Sequence, residues 1–204
     1  MARRTHSHPW ADHPNLLTSI RSPWEHFRKV DWNFSRYENA TFARPCDAEA
    51  VVYTALDYAI SVVSLRDWTR RSLIQAKRAA GLLFPADFPN AADFNSWVRT
   101  RIPWQPAVEA IANTAKHGEY RDEGWSDGTA MPATFVPENL RAEHDACVDG
   151  HELFAFINRH KEAVWWDIAF RQIPSESAEP GYVVFGDVLD GWKALLGELG
   201  FEED

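Results

Sequence analysis

The stretch "VDGHELFAFINRHKEAVWWDIAFRQ", residues 148–172, decides how the chain is read. Asp149 stands as a helix N-cap with Glu152 three residues on, the pattern of a capping box, and a periodic apolar run follows at once. Leu153, Ile157, Val164 and Ile168 form an apolar stripe on a helix over 151–172, which predicts a core helix. His160, Asp167 and Arg171 fall on or beside that stripe. A charged group on a buried face must be paired or hydrogen-bonded, so these three residues mark a polar cluster inside the core.

A second apolar helix is the partner this one needs. Over 48–68 the apolar residues cover more than half the helix circumference, leaving a narrow strip of Thr54, Asp57, Ser61 and Ser64. Asp57 faces the same demand for a partner. The expectation is one buried network in which Asp57 meets His160, Asp167, Arg171 and Asn113, the imidazole and carboxylates forming either a proton-transfer pair or a structural core network.

Other helices follow from their signals. "SPWE" (22–25) supplies Ser N-cap, Pro N1 and Glu N3, opening a helix over 23–38 with Trp24, Phe27, Val30, Phe34 and Tyr37 on one face. The second helix runs on to 80 through a basic strip, Arg66, Arg70, Arg71, Lys77 and Arg78, which is a solvated face or a weak RNA contact. Helices are predicted over 92–101, 106–117 and 187–199, with "YVVF" (182–185) as a short strand. Residues 119–148 read as a long irregular loop with room for a short β-hairpin. The predicted fold is therefore all-α: a single-domain bundle of about six helices over 15–204, preceded by a flexible arm at 1–14.

"AIANTAKH" (110–117) ends its helix with Asn113, Lys116 and His117 on the polar side. Cations suit a helix C-terminus, so two of the three are accounted for by the dipole, and all three are also candidate binding groups.

Composition narrows the function. The net charge of -9 is concentrated in residues 138–204, which hold fifteen acidic and five basic side chains, disfavouring a broad grip on nucleic acid. Ten Trp imply an aromatic-rich core or interface. Cys46 and Cys147 form no redox or metal motif, "MARRTHSH" lacks the apolar region of a secretory signal, and Asp57 interrupts the most apolar run, 48–65. The expectation is a cytoplasmic protein outside the membrane, with no metal and no cofactor. The histidines lack zinc-ligand spacing, and P-loop, dinucleotide and serine-hydrolase motifs do not occur.

"LDYAISVVSLRDW" (56–68), "AIANTAKH" and "VDGHELFAFINRHKEAVWW" (148–166) together resemble a set of bacterial and phage helical proteins, similar in plan to HEPN-like bundles, many of which are toxins or ribonucleases. The resemblance singles out Asp67, Trp68, Asn113, Lys116 and His117. The chain departs from it at the catalytic pattern, an Arg followed four to six residues later by His: the two matches, Arg3 to His8 and Arg21 to His26, lie in the arm and at the first helix start. Two functions follow as expectations. The first is binding of a protein or small ligand, in an oligomeric state the sequence does not define. The second is a HEPN-like ribonuclease or other hydrolase using Asp57, His117, His160 or Asp167.

Overall fold

The computed structural model describes residues 22–44, 46–79, 91–117, 125, 128–172 and 178–201. The predicted arm at 1–14 lies outside them. So do the side chains of Lys77, Arg78, Lys116 and His117.

The first helix, α1 (Pro23–Phe42), starts as its sequence requires. The Ser22 hydroxyl accepts from the Glu25 amide at 3.1 Å, while the Glu25 carboxylate accepts from the Ser22 amide at 3.1 Å. Trp24, Phe27, Val30 and Tyr37 are buried. The second helix, α2 (Ala48–Ala79), is the long central one, followed by α3 (Ala91–Arg101) and α4 (Gln105–His117). By length and composition the span Ala48–Ala76 of α2 is apolar enough to cross a membrane, Asp57 notwithstanding, though 44% of its most apolar window is buried inside the protein.

Beyond α4 the architecture departs from an all-α bundle. The chain forms β1 (Gly128–Phe135), α5 (Glu138–Asp145), α6 (Gly150–Arg159), β2 (Trp165–Gln172), β3 (Glu179–Pro180) and α7 (Gly181–Glu198). The fold is thus mostly helical, with seven helices among the described residues and a three-stranded antiparallel sheet in the order β1-β2-β3. The predicted 151–172 helix is half a helix. It stops at His160, whose amide closes on the Phe156 carbonyl at 3.0 Å, and a turn leads into β2. Val164, Trp165, Trp166, Ile168 and Phe170 are β-branched or aromatic and favour a pleated, half-buried surface over a helix. In β2 the side chains alternate, and Ile168 and Phe170 join the core with Trp166 packed beside them. Its partner β1 occupies part of the predicted loop, pairing from Gly128 opposite Gln172 to Phe135 opposite Trp165. Pro132 sits within β1, tolerated because β1 is an edge strand.

Residues 182–185 are helical rather than a strand: they lie in the first turn of α7. Pro180, the N-cap, has no side-chain donor or acceptor to offer that turn. Asp167 of β2 supplies one instead, accepting from the Tyr182 amide at 3.3 Å and from the Gly181 amide.

The core fills the space between α1, α2, α3, α4, α7 and one face of the sheet. Phe185 lies at its centre, with ring centroids 4.6 Å from Tyr58, 4.8 Å from Tyr37 and 5.4 Å from Phe170. The Tyr58 hydroxyl donates to the Phe185 carbonyl at 2.7 Å, so this buried phenol is satisfied.

Candidate functional site

The predicted network does not assemble. Asp57 has a side chain 55% exposed and pairs with Arg36 at 3.4 Å. The strip it belongs to turns toward α1, not toward a second core helix: buried Asn33 donates to Ser61 at 2.5 Å, and Thr54, Ser61 and Ser64 return their hydroxyls to carbonyls four residues back. His160 caps α6 and pairs with Glu143 of α5 at 3.0 Å, which Arg159 also contacts. The hydrogen bond from His160, against some opposing burial and together with Arg159, holds the Glu143 carboxyl below its usual value.

Asp167 alone is fully buried, but on a strand. Tyr37 donates to it, and the Ile168 amide does so at 2.7 Å. Burial pushes its carboxyl above the usual range, against the lowering effect of these donors. Arg171 is exposed in β2, Asn113 is half-buried in α4, and Asp67 is exposed and paired with Arg66 at 3.0 Å. Lys116 and His117 end α4, and their side chains lie outside the described residues. The basic strip is not continuous either, because Arg66 is drawn inward.

What draws Arg66 inward is a buried carboxylate of α4. Glu109 is 1% exposed and accepts from Arg66 at 2.6 Å, from Arg99 at 2.5 Å and from Gln105 at 3.0 Å, and Gln105 in turn accepts from Trp192 at 2.9 Å. Burial opposes the Arg66 charge, yet Glu109 and Asp67 outweigh it and hold that guanidinium above its ordinary value. One side chain from each of α2, α3 and α7, with two from α4, thus meet in a satisfied cluster that fixes how these helices pack. The sequence signal was present: Glu109 is four residues after Gln105 and ten after Arg99. It was hidden because only tertiary packing covers that face.

Among the described residues no group of three or more His, Cys, Asp or Glu is placed to hold a metal. An apolar concavity suited to a ligand lies elsewhere among the described residues, between α2, α4 and β1. It is a pocket of about 410 Å³. Leu56 comes from α2, while Ala110, Ile111 and Thr114 come from α4, where the alanine leaves the space that a larger side chain would fill. Residues 128–131 of β1 form the facing wall, with Met131 55% exposed at the mouth. Trp125 closes one side. Its indole is 6% exposed and lies over Gly128, where a Cβ would overlap the ring, so only glycine admits this arrangement. The described lining carries no ionisable side chain, and its hydroxyls are those of Thr114 and Thr129, the former already donating to the Ala110 carbonyl at 2.9 Å. Such a lining recognises by desolvation and shape.

No protein-family model, curated protein or solved structure matches the chain.

Proposed function

We propose that the chain is a ligand-binding protein whose site is the apolar pocket between α2, α4 and β1. The observation that carries this reading is the pocket itself: about 410 Å³ of space walled by Leu56, Ala110, Ile111, Trp125 and Ala130. That volume falls within the range of small-molecule sites, and an apolar lining with two hydroxyls fits a compact, mostly hydrocarbon ligand. Binding is favoured over hydrolysis because the acids and imidazole that a hydrolytic centre would use are held by other partners: Asp57 by Arg36, His160 by Glu143, and Asp167 by Tyr37 and the start of α7. Residues 15–204 form one domain on this reading, supported by a core cluster that includes residues of α1, α2, α3, α4, the sheet and α7. A cytoplasmic setting is suited by two free thiols, Cys46 and Cys147.

Titration with 1-decanol, followed through the methyl resonances of Ile111, Ala130 and Met131, tests the site. Saturable shifts confined to these residues are expected. Thr114→Trp, placed on an exposed position of the lining, should abolish them with little change in melting temperature. Saturable binding that survives Thr114→Trp, or shifts confined to another surface, would overturn the assignment.

A further inference from the structure

We infer that the pocket selects an amphiphilic monocarboxylate, its hydrocarbon tail among the pocket residues and its carboxylate on Arg171; this rests on the binding reading above. Thr129 is exposed and lines the pocket, and the β1–β2 register sets Arg171 directly opposite it. Residues opposed in an antiparallel pair project from the same face with Cβ atoms about 5 Å apart, so the Arg171 side chain starts beside a residue of the pocket wall, within reach of its rim. The stem of an arginine can lie along apolar surface while its head stays in water.

The charge pattern sharpens the argument. Four exposed arginines of this acidic chain pair with carboxylates, Arg36 with Asp57, Arg101 with Glu198, Arg141 with Glu138 and Arg159 with Glu143, whereas Arg44 turns to backbone carbonyls and Arg71, on α2, pairs with none among the described residues. Arg171 belongs to the most acidic third of the sequence, yet no carboxylate among the described residues pairs with it. A fork of N–H donors beside an apolar cavity matches a carboxylate head on a hydrocarbon tail. A single guanidinium within a net charge of -9 suits a monoanion over a dianion, which the surrounding field would repel more strongly.

Calorimetric titration with decanoate and with 1-decanol separates the two claims, since the two probes share a chain and differ in the head. Decanoate should bind about tenfold more tightly than the alcohol, with an advantage that shrinks as salt is raised. Arg171→Gln should remove that advantage and leave alcohol binding unchanged, and Arg171→Lys should restore part of it. Because Arg171 is exposed, the variants are expected to melt with the parent protein. Equal affinity for both probes, or a decanoate preference that persists in Arg171→Gln, would overturn the role of Arg171 while leaving the pocket intact. Failure of both probes to bind would overturn the pocket reading and this inference with it.

Discussion

His26 has the least comfortable environment of the buried polar residues. It is 4% exposed on α1, lies over Trp68 with ring centroids 5.8 Å apart, and neither ring nitrogen has a hydrogen-bond partner. Burial first, and then the Lys29 charge, lowers its pKa to about 4, against an ordinary value near 6.5. The folded protein therefore holds a neutral imidazole where the unfolded chain would already take up a proton. Stability contributed by the neutral form is present above pH 6.5 and is lost as the pH falls through the window from 6.5 to 4, by up to about 3 kcal/mol. Asp167 acts in the opposite sense: its carboxyl is raised by burial, so the folded form takes up that proton more readily than the unfolded one and gains from acidification. The comparison that isolates the imidazole is His26→Phe against the parent. The variant should lose less stability between pH 7 and pH 4.5 in urea denaturation, and parallel curves would show that the ring is not what titrates.

At the level of elements, Asp167 joins three of them: Tyr37 from α1 donates to it, it lies in β2, and it accepts from the first turn of α7. Gly181 is tied to the same junction, because a Cβ there would come within 2.8 Å of the Asp167 carboxylate and 3.1 Å of the Ile168 carbonyl. Asp167→Ala would strand a buried phenol and leave helix-start amides without their acceptor, at a cost of about 3 kcal/mol, whereas Asp167→Asn keeps an acceptor and should cost less. Chemical denaturation of the two variants checks this, and a loss below about 1 kcal/mol for Asp167→Ala would remove the carboxylate from its proposed capping role. The same residue shows what the sequence makes legible. Local signals were readable: Ser22 and Glu25 open α1, the apolar wheel defines α2, and the Asp149 carboxylate caps α6 through the His151 and Glu152 amides, although the Glu152 side chain reaches Val148 and not Asp149. Where a helical period and a strand period compete, in 160–172, the outcome depends on β1, which itself offers little strand propensity and a proline. Placing Asp167 on a helix gave it the wrong neighbours. The pocket was illegible for the same reason, since one of its walls is that edge strand.

Over the whole molecule, stability is distributed unevenly. Helices α1, α2, α3, α4 and α7 share one core, and the Glu109 cluster binds α2, α3, α4 and α7 to one another. The α5–α6 pair stands outside it: α5 buries no residue, and α6 buries Phe156, which is not in the main core cluster. Its hold is mostly electrostatic and superficial, with Glu143 of α5 gripping Arg159 and His160 at the end of α6, and the His144 and His160 rings packed on Phe156. Segments with little buried apolar surface open locally at a fraction of the global unfolding free energy. Amides of 140–159 should accordingly exchange with solvent at least about a hundredfold faster than those of 51–65, and faster still in high salt, where exposed ion pairs are screened. Acid should act in the same direction. The Glu143 carboxyl is held below its usual value in the folded state, so its contribution is present above that usual value and is lost as the pH drops through the folded one. Hydrogen exchange resolved to single peptides would decide the matter: protection of 140–159 equal to that of α2 would mean that the helix pair unfolds only with the core.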